Sequence, residues 1–382
     1  MTDQPNQSSN KVNQNLPERQ RNPLAVMIVA IAIVGVIIIG LLRYWKVADK
    51  SQLTIWSVSP EGIMGTQTHI IVVAPRNKTN LVKTSFDKAV QKIRDIEAMM
   101  SVHIKSSPLS QFNAAKSGEY KLPAEIVNLL ILSRKIHHQS NGAFDITCLP
   151  IINLWKQAAR TRKLPSKEQI IQSRRASNWN QIIVNPLKNT ITKQVETVSI
   201  DLGGIAKGFA VDQAIRIIKS AGIAGGMVDI GGDLRCFGTP PNSGGWEVKI
   251  QNPFDSSSTC ATLLLTEAAV ATSGDYNRFS IIAGKRFSHI VDPRTGMALP
   301  VGKVCSATVV SLPTDSAAVS GTLADAWATA ISVLGAKKGI ATINKISGLE
   351  AMIITGSPDN YHIHTSKGFL KLLKPNTKII LK

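Results

Sequence analysis

An unbroken run of apolar residues and glycines at positions 24–42 constrains this chain more than any other feature of it. At about 1.5 Å per residue, a helix over this run would be about 28 Å long, close to the roughly 30 Å hydrocarbon thickness of a bilayer. Residues 43–46, Arg-Tyr-Trp-Lys, follow the run and are typical of an interfacial anchor. We therefore expect one transmembrane helix over 23–46, preceded by a polar, disordered tail at 1–22.

A cleaved signal peptide is the alternative interpretation of the same run. Its apolar core would be about 7–15 residues long and would be followed by small residues at a cleavage site. Here the core is longer, and Arg-Tyr-Trp-Lys stands where the small residues should be, so an uncleaved span is favoured. Basic residues are balanced on the two sides of the run, and the positive-inside rule therefore leaves its orientation open.

Residues 47–382 are expected to form one soluble body, because no later stretch is apolar enough to cross a membrane. The net charge of +19 would suit nucleic acid, anionic lipid or an anionic small molecule. The basic residues are spread along the chain, however, and aromatic residues make up only 5% of it, so no nucleic-acid partner is expected. The four cysteines are too few for a dense disulfide framework.

Hydrophobic patterning predicts strands and helices mixed irregularly along this body, with no fixed-period repeat. The predicted strands lie at 68–74, 182–184, 198–202, 227–230, 246–251, 261–265, 280–283, 288–291 and 307–311. The predicted helices lie at 84–100, 123–140, 322–334 and 337–346, with a further one that begins near Lys207 and ends at Ser220. We therefore expect an α+β fold, a single domain with two lobes, over residues 47–382.

Residues 199–212, Ser-Ile-Asp-Leu-Gly-Gly-Ile-Ala-Lys-Gly-Phe-Ala-Val-Asp, join a predicted strand to a predicted helix through Gly203 and Gly204. Such a junction exposes backbone N–H groups at the positive end of a helix dipole, where phosphate binds well, and Lys207 would add a positive charge. The spacing matches neither the P-loop nor GxGxxG. An ordinary strand–helix turn therefore remains the alternative.

Two further segments have the composition of turns. Residues 231–238, Gly-Gly-Asp-Leu-Arg-Cys-Phe-Gly, favour a hairpin whose glycines adopt positive φ. Residues 287–296, Phe-Ser-His-Ile-Val-Asp-Pro-Arg-Thr-Gly, end in good turn chemistry, because proline presets φ and glycine closes the turn. His289 alternates with Phe287 and Val291, so the pattern alone favours a packed strand residue for it.

The predicted helix 322–334 is apolar around most of its circumference, which implies burial. Thr322, Asp325, Thr329 and Ser332 form a narrow polar stripe on one of its faces. Oxygen ligands with one carboxylate suit a hard cation such as Mg²⁺, which takes few protein ligands and keeps the rest for water and phosphate. An aspartate hydrogen-bonded to neighbouring backbone is an equally good interpretation.

The order and wording of these segments resemble the ApbE family, the FAD:protein FMN transferases. The resemblance also includes four motifs that precede them, and it extends to about residue 355. These motifs are Met-Gly-Thr at 64–66, Ser-Pro-Leu-Ser-Gln-Phe-Asn at 107–113, Gly-Ala-Phe-Asp-Ile-Thr at 142–147 and Asn-Leu-Trp at 153–155.

The resemblance implies an α+β fold of two lobes with FAD in the cleft between them and Mg²⁺ bridging the protein to the pyrophosphate. The residues that it places against FAD are Met64, His103, Ala143, Phe144, Asp145, Asp201, Lys207 and Val291. The metal ligands that it implies are Asp325, Thr329 and the backbone carbonyl of Gly204. His289 or Asp292 would orient or deprotonate the hydroxyl of the acceptor.

Two positions depart from the family pattern. His103 stands where relatives usually carry a tyrosine that stacks on the flavin, and imidazole offers less stacking area. Ala328 stands where some relatives carry a second aspartate just before the metal-binding threonine. The metal site would then depend more on phosphate oxygens and water.

The resemblance implies transfer of FMN from FAD to a threonine or serine hydroxyl of an acceptor flavoprotein, with release of AMP. A Mg²⁺-dependent FAD pyrophosphatase and a non-catalytic FAD-binding protein remain alternatives. Because relatives act outside the cytoplasm, we expect a single-pass protein of the inner (cytoplasmic) membrane, anchored by its N-terminal helix, with its catalytic domain on the periplasmic or extracellular side. Its acceptor would be a membrane-associated redox subunit.

Overall fold

The computed structural model describes residues 23–51, 53–274, 279–315 and 320–380. The predicted tail at 1–22 lies outside them. The chain divides into two compact units between residues 52 and 53.

The described part of the first unit is one helix, α1 (Pro23–Ser51). Among the helices of the described residues, none combines the length and the apolar character that a membrane crossing requires. The transmembrane segment predicted at 23–46 is therefore not supported by the structure.

The second unit, residues 53–382, contains the remaining helices and all the strands of the described chain. Its helices are α2 (Thr79–Met100), α3 (Pro108–Ala114), α4 (Ala124–Gln139), α5 (Leu149–Thr161), α6 (Lys167–Ala176), α7 (Ala206–Ser220), α8 (Gly321–Leu334) and α9 (Ala336–Ile343). Its first eight strands are β1 (Leu53–Val58), β2 (Thr68–Pro75), β3 (Gly118–Lys121), β4 (Ile182–Asn185), β5 (Thr190–Lys193), β6 (Gly225–Ile230), β7 (Asp233–Phe237) and β8 (Trp246–Asn252). The other eight are β9 (Asp255–Leu265), β10 (Ala268–Gly274), β11 (Phe279–Ile282), β12 (Lys285–Asp292), β13 (Met297–Pro300), β14 (Ser306–Ser311), β15 (Leu349–Ser357) and β16 (Asn360–Thr365).

An eight-stranded sheet in the order β1-β2-β6-β7-β10-β14-β15-β16 organises this unit. The remaining strands form three smaller sheets, β11-β12-β13, β3-β5-β4 and β8-β9. The named strands pair antiparallel throughout, which confirms the α+β prediction.

Both faces of the main sheet are covered. All six residues of β14 are buried, which is typical of a strand with apolar layers on both sides. Val309 belongs to the large core cluster that also contains residues of α7 and α8. Its neighbour Val310 belongs to a second cluster, formed with β8 and β9. The two helices therefore pack on one face of the sheet and the β8–β9 ribbon packs on the other.

Helices α7 and α8 approach each other closely because each has a glycine at the contact. A Cβ atom placed on Gly208 would clash with the backbone carbonyl oxygen of Gly321. A Cβ atom on Gly321 would in turn lie 2.9 Å from the carbonyl oxygen of Gly208. The absence of side chains at both positions therefore sets the distance between the two helices.

Most long predicted elements are confirmed. The predicted helices at 123–140 and 322–334 are α4 and α8, and the predicted strand at 68–74 is β2. Helix α9 ends at Ile343, three residues before its predicted end. Helices α3, α5 and α6 and strands β1, β3, β5, β7, β10, β13, β15 and β16 were not predicted.

The strand predicted at 198–202 is wrong. Its pairing to another strand is limited to one isolated bridge, between Ser199 and Cys148. The backbone of Ile200 bonds instead to the side chain of Asn113, whose Oδ1 accepts its N–H and whose Nδ2 donates to its carbonyl, both at 2.8 Å. A side-chain amide therefore replaces the partner strand that the pattern predicted.

Replacing Gly208 with alanine is expected to push α7 away from α8 and to lower the free energy of unfolding by about 3 kcal/mol, the scale of overpacking in a core. Urea unfolding followed by circular dichroism measures this. Arg216→Ala, on an exposed position of the same helix, is the control and should change stability by less than about 0.5 kcal/mol. Equal stability of the two variants would contradict the close contact.

Candidate functional site

The first turn of α7 is fixed to the main sheet by an ion pair. The ammonium group of Lys207 binds the carboxylate of Asp233, which is 97% buried at the start of β7. Asp233 also accepts a hydrogen bond from the backbone N–H of Thr272, at 3.3 Å. Gly231 and Gly232 connect β6 to β7 with φ values of 63° and 90°, which confirms the predicted hairpin. The hairpin therefore presents Asp233 to the helix that carries Lys207.

Asp325 lies in α8 directly opposite this turn. Its side chain is buried, and its Oδ2 accepts the backbone N–H of Gly208 at 3.0 Å. Burial raises the pKa of this carboxyl above its ordinary value, while the charge of Lys207 and nearby backbone N–H groups act in the opposite direction. The buried carboxylate is therefore only partly compensated by its protein neighbours, a situation that a bound cation would relieve.

The loop at 203–205 meets the same helix one turn further on. A Cβ atom on Gly204 would lie 3.0 Å from Oγ1 of Thr329 and 3.5 Å from the ring of Phe144. Oγ1 of Thr329 is also 3.4 Å from the hydroxyl oxygen of Ser273. The structure thus brings Gly204, Thr329 and Phe144 together, and a side chain at position 204 would crowd the threonine hydroxyl.

The four residues of the polar stripe of α8 have two different roles. The outer two, Thr322 and Ser332, make hydrogen bonds within the fold, and the inner two lie near the loop at 203–205. Thr322 donates its hydroxyl to Asp212 at 2.7 Å, and Ser332 donates its own to the carbonyl of Ala328 at 2.8 Å. Asp325 and Thr329 lie between them. These two residues offer a carboxylate and a hydroxyl beside the backbone of the 203–205 loop.

This donor set fits Mg²⁺. The cation prefers oxygen ligands and commonly takes one or two carboxylates, with water and substrate phosphate completing its coordination. Asp325 supplies a buried carboxylate, and Thr329 and the backbone of Gly204 supply neutral oxygens. Within the described residues there is no cluster of three or more His, Cys, Asp or Glu side chains able to hold a metal, so substrate phosphate and water would complete the coordination.

Asp145 is buried in the segment between α4 and α5. Its Oδ1 accepts the backbone N–H of Thr147 at 2.8 Å and the hydroxyl of the same residue at 2.6 Å. Burial raises the pKa of Asp145 to about 6, and the bonds from Thr147 only partly oppose this. The ring of His137 lies 3.4 Å from Oδ2, and burial lowers the pKa of that imidazole. Asp145 is therefore a carboxyl that changes its charge near neutral pH.

Asp201 and Asp145 both lie close enough to Cys148 to act on its thiol. Burial raises the pKa of the Cys148 thiol, and the charges of the two carboxylates raise it further. Asp201 receives the backbone N–H of Gly203 on Oδ1 at 2.6 Å and donates its own N–H to Ile146 at 2.7 Å. Two of the predicted cofactor-binding residues, one from each segment, thus lie near the same half-buried cysteine.

Strand β12 holds the residues predicted to be catalytic, His289 within it and Asp292 at its end, where a turn follows. Asp292 binds the guanidinium group of Arg294 with both carboxylate oxygens, at 2.8 and 2.7 Å. Its carbonyl accepts the N–H of Gly296 at 2.8 Å, which confirms the predicted turn. His289 is exposed on β12, so the prediction of a packed histidine is wrong. Val291 is buried in the small core cluster beside Trp155.

The two remaining predicted residues lie in different surroundings. Met64, at φ 50°, packs against the main core, and Thr66 of the same loop contacts the backbone turn at Gly231. This loop therefore lies beside the hairpin that carries Asp233. His103 is exposed in the turn between α2 and α3, where its N–H donates to Ser101 at 3.2 Å. No contact of the described residues links His103 to the rest of the site.

Asp212 is the residue that the pattern analysis missed. It ends the 199–212 segment, and its carboxylate accepts the backbone N–H groups of Gly321 and Thr322 at 2.8 and 2.9 Å. Arg235 binds the same carboxylate at 2.8 Å. The local N-cap of α8 is Ser320, whose hydroxyl accepts the backbone N–H of Leu323 at 3.1 Å. Asp212 adds a carboxylate cap from a distant segment, and this second cap has no sequence signal of its own.

A model of the ApbE family matches residues 64–353, which confirms the resemblance noted in the sequence. A FAD:protein FMN transferase of Haemophilus influenzae is 28% identical over 317 residues, which are 81% of this chain and 89% of the relative. A FAD:protein FMN transferase of Vibrio cholerae is 29% identical over 296 residues, covering 76% of this chain and 84% of the relative.

Solved structures of the same family have a similar fold. The flavin transferase ApbE from Vibrio cholerae matches with a TM-score of 0.72 at 27% identity, over 84% of this chain and 100% of that one. The ApbE protein of Thermotoga maritima matches with a TM-score of 0.73 at 25% identity, again over 84% and 100%.

The raised pKa of Asp145 predicts how stability depends on pH. The folded state holds this proton up to about pH 6, whereas the unfolded chain releases it near pH 4. The contribution of this group to the free energy of unfolding is therefore present below about pH 4 and is lost as the pH rises to about 6, by up to about 3 kcal/mol. Urea unfolding at closely spaced pH values measures the loss.

Asp145→Asn is the matched comparison, because it keeps the shape of the side chain and removes the titration. Between pH 4 and 6 its stability should fall less steeply than that of the wild type. Parallel curves for the two proteins would show that Asp145 titrates at its ordinary pKa.

Proposed function

The chain belongs to the ApbE family, and from this premise we propose that it transfers FMN from FAD to a threonine or serine hydroxyl of an acceptor protein. The observation that carries the proposal is the group at the start of α7, where Lys207, Asp233 and Asp325 meet beside Gly204 and Thr329. A dinucleotide has its reactive centre in the pyrophosphate, which this group would hold together with a bound cation.

The charge balance of this group favours a pyrophosphate only together with a cation. Two carboxylates and one ammonium leave one net negative charge, which would repel phosphate. One divalent cation reverses the sign and makes the group attractive to an anion. The N-terminus of α7 adds the positive end of its dipole at the same place.

We propose that Asp325, Thr329 and the carbonyl of Gly204 hold Mg²⁺. When bound, the cation would neutralise the pyrophosphate and the charge that develops on the departing AMP. Lys207 would bind a phosphate oxygen that is not bound to the cation, since Asp233 holds the ammonium group of Lys207 in place. The narrow space at Gly204 keeps the Thr329 hydroxyl directed at the same region.

The remaining walls of the FAD site would come from three segments that the structure places around this group. The ring of Phe144 lies beside the loop at Gly204. Asp145 is the next residue in the chain, and Asp201 lies near it at Cys148. Met64 approaches from the side of the β6–β7 hairpin. Aromatic and apolar contacts from these segments suit the flavin and adenine rings.

In the proposed reaction, the acceptor hydroxyl oxygen forms a bond to the phosphorus on the FMN side, and the bond from that phosphorus to the AMP oxygen breaks. The hydroxyl proton must leave at the same time. Asp292 is a poor acceptor for it, because Arg294 holds both of its carboxylate oxygens. We therefore assign this proton to the imidazole of His289, which is exposed on β12.

The departure at Ala328 does not weaken this assignment. Ala328 is fully buried within the main hydrophobic core. A charged side chain at this position would lose its hydration with no ion-pair partner among the described residues of that core. Asp325 and Thr329 are spaced four residues apart on the same helix and need no third side chain from α8 to present their oxygens together.

We propose further that the protein is anchored in the cytoplasmic membrane with residues 53–382 on the outer side. The support is the apolar sequence at 24–42 with its Arg-Tyr-Trp-Lys flank. Fractionation of cells and protease treatment of intact spheroplasts test this. Recovery of the protein from the soluble fraction, or its protection from the protease, would contradict it.

Asp325→Asn is expected to lower FMN transfer by at least about 100-fold, because it removes the charged ligand at the reacting phosphates. The full-length protein is incubated with FAD, Mg²⁺ and an acceptor, and flavin fluorescence on the denatured acceptor band measures transfer. The melting temperature should not fall, since burial disfavours the charged form that the substitution removes. Ser332→Ala, about two turns further along the polar stripe of α8, is the control and should transfer FMN at the wild-type rate.

The same incubation separates the alternatives. FMN and AMP formed without a labelled acceptor would indicate the pyrophosphatase, and unchanged FAD would indicate a binding protein. Full transfer by Asp325→Asn would contradict the metal assignment while leaving the family function in place.

A further inference from the structure

A cleft of about 510 Å³ lies beside the 142–145 segment, at the ends of α4 and α6. Its side-chain charges are almost all positive. Asp145 is the one acidic residue among the described residues that line it, and its carboxylate is already bonded to Thr147. The basic lining residues are Arg134, His137, His138, Arg174, Arg175 and Arg294.

Three of these arginines lack a compensating charge. Arg294 is held by Asp292, but Arg134, Arg174 and Arg175 form no ion pair within the described parts of the chain. All three are exposed at the cleft. Positive charges that line one cleft repel one another, and an anion bound between them relieves the repulsion.

The position of the arginines favours carboxylates of a protein over a phosphate group. Arg174 and Arg175 are in the last turn of α6, and the last turn of α4 holds His137 and His138. Helix C-termini carry the negative end of the dipole, so no helix N-terminus supports a compact phosphate here. Separate, exposed guanidinium groups instead match carboxylates spaced along a chain, each of which can accept a bidentate pair of hydrogen bonds.

The cleft and the proposed FAD site share the 142–145 segment. Gly142 and Asp145 line the cleft, and the ring of Phe144, between them in sequence, lies beside the loop at Gly204. Arg294 and Pro293 bring the turn that follows His289 and Asp292 to the same cleft. A peptide chain bound in the cleft would therefore contact the same two segments, 142–145 and the turn after His289 and Asp292, that we assign to the FAD site.

We propose that this cleft binds an acidic stretch of the acceptor protein and so directs the acceptor hydroxyl to the flavin site. The proposal rests on the function proposed above, because a protein acceptor is what the cleft would serve. It adds that recognition of the acceptor is electrostatic, and it assigns that recognition to Arg134, Arg174 and Arg175.

The probe is a fluorescein-labelled, glutamate-rich peptide with one central threonine, and its counterpart has glutamine in place of glutamate. Fluorescence anisotropy at low salt measures binding to the full-length protein without any need for turnover. R174E/R175E should bind the acidic peptide at least about tenfold more weakly than the wild type. K337E/K338E carries the same change of charge on exposed residues of α9 and should bind the peptide like the wild type.

Circular dichroism and an FAD titration check that the variants are folded, and R174Q/R175Q replaces the charge reversal if that variant is not. Equal binding of the acidic peptide by the wild type and the folded arginine variant would overturn the proposal. Equal binding of the two peptides, or displacement of the acidic one by equimolar AMP, would also overturn it. A wild type that binds the acidic peptide but labels no acceptor would contradict the proposed function and leave the cleft assignment standing.

Discussion

The carboxylate of Asp212 joins the two helices on which the site depends. It lies in α7, yet it receives the first backbone N–H groups of α8, from Gly321 and Thr322, which would otherwise be buried without partners. Arg235 of β7 binds the same carboxylate and offsets the cost of burying it. Together with the N-cap Ser320, whose hydroxyl also bonds to it, the Asp212 carboxylate fixes where α8 begins, and Asp325 follows at the next turn.

The close contact between Gly208 and Gly321 also fixes the position of α8 against α7. Because neither Gly208 nor Gly321 has a side chain, the backbone N–H of Gly208 comes within reach of the Asp325 carboxylate. Lys207, the preceding residue, is held by Asp233 of the adjacent hairpin. The packing of α7 on α8 and the arrangement of the charged groups are thus one structural feature, so a change that separates the helices also disassembles the site.

Local periodicity explains what could be predicted. The apolar circumference of residues 322–334 predicts a buried helix, and the spacing of Asp325 and Thr329 places them on one face before any contact is known. The contacts that complete the site join residues far apart in sequence, such as Asp212 with Thr322 and Asn113 with Ile200. No pattern within one segment contains these pairs. The same limit explains the strand expected at 198–202, where alternation was present but the partner was a side chain.

Asp292, by contrast, has a partner only two residues away in sequence, Arg294. The Asp-Pro-Arg-Thr-Gly sequence predicts the turn, and the turn brings the guanidinium group of Arg294 onto the carboxylate. That pairing gives Asp292 a structural role and places Arg294 at the edge of the basic cleft. The 142–145 segment connects the two charged regions, because Gly142 and Asp145 line the positive cleft and Phe144 lies beside Gly204 and Thr329, next to the negative Asp325 on α8. A nucleotide that arrives with a cation and an acidic protein chain would each find the complementary sign, and the two would meet at that segment.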